Sequence, residues 1–309
     1  MGGGAWSRSA ASHITQTNST RSTNQVFSQN LSQSVATTMS PMGLKFRESR
    51  KSANHPDPLG IMVFLDVTGS MGDIPEQLIK ETFPTMMEVI IKHGTPHPQV
   101  LFGAIGDQND RAPLQVGQFE SAAEELNKCL GSVWLEGNGQ GDHHEAYLLA
   151  WLVAARHTSM DNFEERGEKG ILFTVGDEAS HDILTGQQLK KIMGYTESGD
   201  ITDKQILAEA ERSFEVFHIH INSTSQHRNH PGIFNYWKNL LGERFIVLED
   251  KSQVAEVIGT TVAMLHGASL KNVTKDFDQH TAAGVSKALA HMDGRLSTRV
   301  NQQAGVVKI

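Results

Sequence analysis

Cysteine is almost absent, Cys129 being the only one in 309 residues. That excludes an intrachain disulfide framework, and no Cys/His spacing of the structural-zinc kind exists either. A reducing, cytoplasmic setting is expected. Long apolar runs are also missing: none approaches the roughly 18 residues of a membrane-spanning helix, and the opening MGGGAWSRSAASH lacks a signal-peptide core. Neither secretion nor a membrane partner is expected. Myristoylation is excluded too, because Trp6 stands where Ser or Thr is required. Positive charge is in short supply: the formal net charge is -8, with no Lys/Arg stripe to offset it. This sets nucleic acid aside as a partner. Finally, residues 1–47 contain neither Asp nor Glu and are crowded with Ser, Thr, Asn and Gln without an apolar period. Such a segment cannot bury enough apolar surface to offset its ordering entropy. The expectation is a low-complexity arm over 1–57, disordered or ordered by a partner.

What is present, 38% hydrophobic and 20% charged residues, suits one sizeable α/β core. From 58 to 266 short apolar runs alternate with amphipathic stretches, the pattern of a doubly wound, mostly parallel six-stranded sheet with helices on both faces. The strands are expected at 61–65, 100–105, 114–119, 171–175, 214–221 and 245–248, the third antiparallel to the second. After the first strand, Asp73 and Glu76 have capping-box spacing, Pro75 sits in the first helical turn, and Pro84 should kink the helix. A helix over 144–157 is apolar almost all round and should be packed on most sides. Residues 267–309 read as a weakly helical or disordered tail, so the domain is flanked by flexible tails at both ends.

The sharpest feature is Asp66-Val67-Thr68-Gly69-Ser70-Met71, directly after the first apolar run. In an open α/β sheet, ligands bind outside the carboxyl ends of the strands. Asp66, Thr68 and Ser70 are oxygen donors spaced by two, and Gly69 helps one tight loop to gather them. Mg²⁺ takes about six oxygens in octahedral array and keeps several waters, so two hydroxyls and a carboxylate form a suitable nucleus. Three further loops bring carboxylates to the same edge: Asp107 and Asp110, Asp142 and Glu145, Asp177 and Glu178. Without a cation these groups would repel one another. The expected metal is Mg²⁺, with Mn²⁺ or Ca²⁺ as alternatives.

This pattern resembles the metal-ion-dependent adhesion site of von Willebrand factor A domains, there written Asp-x-Ser-x-Ser with Thr tolerated in the middle. The resemblance covers about two thirds of the chain, since the order of strands and helices also matches. It implies that Thr68 and Ser70 bind the cation directly, that Asp66 acts mainly through water, and that Asp177 fills the third-loop place. The second loop departs from the family. Gly139-Gln140-Gly141-Asp142-His143-His144-Glu145 has no Thr and looks like the Gly-rich, Asp-containing version of the intracellular alpha-kinase-type branch, as does Gly176-Asp177 followed by His181. No kinase-like segment accompanies it. With Asp142 as a ligand, Asp107, Glu145, Glu178 and His181 would form the surroundings. A ligand carboxylate cancels part of the cation's charge, so metal affinity should rise and appetite for an acidic partner should fall. The resemblance implies a cation-dependent protein-binding module, an intracellular adaptor or assembly factor, whose partner could be a MoxR-type AAA+ ATPase.

One enzymatic alternative uses the same residues. An apolar strand followed by Asp-x-Thr-Gly-Ser, with Gly176-Asp177 and Asp182 later, also resembles the aspartyl-phosphate hydrolases of the haloacid dehalogenase group. Asp66 would then be the nucleophile and Asp177 and Asp182 would hold Mg²⁺, but no Lys stands in a convincing phosphate-binding place, Lys169 being the one left open. That group places a hairpin flap soon after the nucleophile, where this sequence enters a helix. Of the 15 histidines, His218 and His220 alternate onto one face of the fifth strand and read as core residues; no His-Glu-x-x-His motif is present.

Overall fold

The structure is a computed structural model that describes residues 4–71, 73–137, 144–196, 199–223 and 228–293. Six strands form its central sheet: β1 (Leu59–Asp66), β2 (Pro98–Ile105), β3 (Leu114–Glu120), β4 (Gly170–Gly176), β5 (Phe214–Ile221) and β6 (Phe245–Leu248). Their spatial order is β6-β5-β4-β1-β2-β3, parallel throughout except for β3, which runs antiparallel to β2. Because β1 is covered on both faces, every one of its residues is buried, which is why it reads as an unbroken apolar run. Ile61, Val63 and Leu65 point into one layer; Met62 and Phe64 point into the other.

The first layer is made by α1 (Arg8–Ser19), α2 (Phe83–His93), α3 (Ala123–Gly131), α8 (Val254–Leu265) and α9 (Gln279–Leu289). The second is made by α4 (Leu148–Arg156), α5 (Gly186–Met193), α6 (Asp203–Ala210) and α7 (Pro231–Leu241). Chain order reverses between β1 and β4, so the crevice at their carboxyl ends is the sheet's switch point, where open α/β folds bind ligands. Among the described residues no helix is long and apolar enough to cross a membrane.

Several local expectations are corrected. Asp73 makes no capping bond; it pairs with Lys251, while Glu76 takes Thr23 and Lys80. Pro84 falls in the first turn of α2, where the helix changes type. A wider π turn at Leu78–Thr82 precedes it, giving room where the ring would meet the carbonyl of residue 80 and removing the demand for its missing N–H. The helix expected from His144 begins only at Leu148, because His144–Glu145 form a short parallel bridge with Ala179–Ser180. From Leu148 to Ala154 every residue is buried, as its all-round apolarity requires.

The N-terminal arm is the largest departure. Instead of lying loose, it lays α1 and two short helices (Thr23–Val26 and Gln29–Ser32) along the first layer. A few apolar anchors, Ala11, Val26, Phe27 and Met39, are buried in or against the core. Polar side chains do the rest: Asn18 Nδ2 donates to Asn127 Oδ1 at 2.7 Å, Thr23 donates to Glu76 at 2.8 Å, and Asn30 accepts from the Leu135 amide at 2.9 Å. Composition measures whether a segment can build its own core, and this one uses the domain's instead. At the other end, helices at Leu270–Thr274 and Gln279–Leu289 pack through Leu270, Val273, Val285 and Leu289; residues 294–309 of the expected tail lie outside the described residues.

Candidate functional site

Asp66 closes β1 and Asp177 follows β4, the adjacent strand, so the switch point sets two carboxylates side by side. Both are fully buried. Between them the chain turns through a tight 3₁₀ turn at Gly69–Met71, closed by the Met71 amide donating to the Thr68 carbonyl at 3.2 Å. Gly69 eases the turn, since a Cβ would stand a tight 3.0 Å from the Gly137 carbonyl oxygen of the neighbouring loop. The turn folds the two hydroxyls back onto the two acids. Thr68 donates from its amide (2.9 Å) and its Oγ1 (2.6 Å) to Asp66 Oδ1, and Ser70 Oγ donates to Asp177 Oδ1 at 2.9 Å.

These bonds orient the hydroxyls for a further role. Each has spent its single proton on a carboxylate, so its remaining lone pairs are free to act as acceptors only. Thr68 Oγ1 and Ser70 Oγ lie 3.4 Å apart, near the roughly 3 Å edge of an oxygen octahedron with Mg²⁺-length bonds. Asp177 Oδ2 is buried with no hydrogen-bond partner among the described residues. An ionised oxygen in that condition is costly unless something positive meets it. The electrostatics agree: burial, and then the neighbouring Asp177 charge, push the Asp66 carboxyl up to about 7, although bonds from Thr68 and Tyr147 pull the other way. Two carboxylates and two hydroxyls make an all-oxygen donor set, which suits a hard divalent cation. Among the described residues no group of three or more His, Cys, Asp or Glu side chains stands ready to hold a metal ion. Ser70 opens onto a cleft of about 340 Å³ lined also by Met71, Ser223, Glu249, Asp250 and Lys251.

The other residues singled out in the sequence fall into two groups. Asp142 lies outside the described residues, with the rest of 138–143. Asp107, Glu145 and His181 gather on the far side of Asp66. His181 Nε2 bonds Asp107 Oδ2 at 2.8 Å and its Nδ1 meets Gln108 Nε2 at 3.3 Å, while the Asn109 amide donates to Asp107 Oδ1 at 2.7 Å. Burial opposes ionisation of Asp107, but these bonds outweigh it and hold the acid below its usual range. Glu145 has the opposite fate. It is buried among Asp66, Glu178, Asp107 and Asp110, its Oε2 is unpartnered, and burial followed by those charges pushes it up to about 11. Glu178 is half-buried; its carbonyl accepts a bond from Trp237 Nε1 at 2.9 Å. His218 and His220 are core residues as expected, with His218 lying flat on Trp237 at 3.6 Å.

Sequence reasoning missed Tyr147, whose hydroxyl donates to Asp66 Oδ2 at 2.7 Å. A signal existed: in Ala146–Ala154 it is the one residue with an oxygen at its tip, on a helix otherwise apolar except for an indole. A buried tyrosine needs a partner for that oxygen.

Neither a family model nor a curated protein matches the sequence. Among solved structures, two forms of the pilus adhesin SpaC from Lactobacillus rhamnosus GG match 75% of this chain at 10% identity and a TM-score of 0.43. Proximal thread matrix protein 1 from the mussel byssus matches 73% at 9% identity and a TM-score of 0.40. The matches cover 33%, 34% and 47% of those chains, so this protein spans less than half of each. Likenesses this loose carry no argument.

Proposed function

We propose that this protein is a divalent-cation-dependent protein-binding module of the von Willebrand factor A kind, with Mg²⁺ as the resident cation. Thr68 and Ser70 would hold it directly; Asp66 and Asp177 would support it through water or directly, with Asp142 added from the sequence resemblance. The observation that carries the reading is the orientation of the two hydroxyls. Both donate backwards to buried carboxylates, leaving acceptor lone pairs beside the unpartnered Asp177 oxygen. When bound, the cation would supply positive charge that an acidic group of a partner protein can approach through the cleft beside Ser70. The chain's own residues hold the donors, exclude bulk water from Asp66 and Asp177, and leave one side open. A cytoplasmic adaptor or assembly role, with a MoxR-type ATPase as a candidate partner, is part of this proposal.

The aspartyl-phosphate alternative fits these residues less well. Both oxygens of Asp66 already accept hydrogen bonds, Asp182 is exposed, and Lys169 sits before β4, eight residues or roughly 26 Å along the backbone from Asp177. Affinity capture with the full chain in Mg²⁺, against the same capture in EDTA and with Asp66→Ala, tests the proposal. A partner retained only by the wild type in Mg²⁺ supports it. Equal retention in all three would remove the cation from the function.

A further inference from the structure

We infer that Tyr147 is a positioning residue of the cation site, and that position 176 is glycine to let it reach Asp66. The inference rests on the reading above and names what holds its donors in place. Asp66 Oδ1 is occupied by Thr68, and Tyr147 pins the second oxygen at 2.7 Å, so the carboxylate cannot turn without losing one set of bonds. The approach is tight. A Cβ at Gly176 would stand 1.7 Å from the Tyr147 hydroxyl oxygen and 2.6 Å from Cζ, so any side chain there displaces the phenol from Asp66.

The ring is fixed in turn. Tyr147 meets His218 and Trp237 edge-on, with centroids at 5.0 and 5.6 Å, and Trp237 is stacked on His218. Trp237 Nε1 donates to the Glu178 carbonyl, one residue beyond Asp177. One aromatic cluster therefore braces both acid-bearing strand ends from behind, Asp66 through Tyr147 and the Asp177 loop through Trp237. Outer partners of this sort set the orientation of the groups that touch a metal, and their loss typically weakens binding about 10–100-fold.

The test is calorimetric titration of Mg²⁺ into the full-length wild type, Tyr147→Phe and Tyr236→Phe. The last removes a hydroxyl that donates to Asp203 Oδ2 at 2.9 Å instead of to Asp66, while keeping the ring that meets Trp237. Melting temperatures in EDTA accompany each titration. Tyr147→Phe is expected to bind roughly 10–100-fold more weakly, Tyr236→Phe within about twofold of wild type, and the two to melt alike without metal. Trp237→Phe, which keeps a ring but removes the donor, supplies a second arm should Tyr147→Phe not fold; it is expected to weaken binding as well. Wild-type binding with unchanged affinity in Tyr147→Phe, or in Trp237→Phe where that arm stands in, would overturn this inference alone. An absence of wild-type binding would overturn the proposed function and this inference with it.

Discussion

Asp66 and Asp107 leave neighbouring strands at nearly the same level of the sheet, since Asp66 pairs with Ile105 in register. Both are fully buried, yet one is pushed up to about 7 and the other is held below its usual range. Both are shut off from solvent, but Asp66 is the more deeply desolvated, so depth of burial and the company each keeps together set them apart. Each accepts a backbone amide, but Asp107 also has a histidine, whereas Asp66 faces Asp177 and, among the described residues, takes its other bonds from the Thr68 and Tyr147 hydroxyls. On the Asp107 side a histidine meets the acid, with Glu145 buried nearby and pushed up; on the Asp66 side the cation of the proposed function would supply the positive charge.

Substitution of each acid by its amide should separate the two most strongly. Asp66→Asn is expected to weaken Mg²⁺ binding about 10–100-fold, while stabilising the metal-free protein at pH 8 by roughly 1–2 kcal/mol because a strained charge is gone. Asp107→Asn should do the reverse. It breaks the pair with His181 and costs about 1–3 kcal/mol, with Mg²⁺ affinity nearly unchanged. Urea unfolding in EDTA beside calorimetry reads both; the same sign of stability change in the two variants would erase the contrast.

The pH dependence sharpens the same point with a smaller effect. An acid whose folded value is raised favours the folded state fully below its ordinary value of 3.8 and loses that contribution as pH climbs through about 7. Asp107, lowered on folding, contributes above its ordinary value and loses that contribution on acidification. Between pH 4 and 7 the metal-free wild type should therefore melt progressively earlier relative to Asp66→Asn, levelling off above that, and saturating Mg²⁺ should remove the trend. Parallel melting curves for the two proteins across that range would place the strain elsewhere.

The arm supplies the smallest expected effect and a lesson about legibility. Asn18→Ala removes the side-chain bonds to Asn127 and the Ile79 carbonyl, at an expected cost of about 1 kcal/mol. Limited proteolysis should then cut first within residues 4–40; a wild-type arm cut as fast as the variant's would mean that these bonds do not hold it. All six strands were legible because each is an apolar run set by burial on one or both faces, a property local to the run. Thr68, Ser70, Asp66 and Asp177 were legible as a set because strand-end loops at a switch point must meet. The arm was not, because its anchors are single apolar residues in a polar stretch, and only the finished surface shows them where to dock. Tyr147 was hidden for a related reason. It is 81 residues from Asp66, and nothing local announces that a glycine at 176 clears its path. The Asp107–His181 pair, 74 residues apart, was placed near the site but not recognised as self-sufficient.

The central claim, that the Thr68 and Ser70 hydroxyls together with two buried carboxylates form a cation site, is tested most directly by Mg²⁺ titration of the wild type beside Thr68→Val. Valine keeps the shape and removes only the oxygen. The account predicts one Mg²⁺ per wild-type chain and binding at least about tenfold weaker in the variant, with the fold retained by circular dichroism. Equal affinity in the two proteins, or no heat of binding in the wild type, would contradict it.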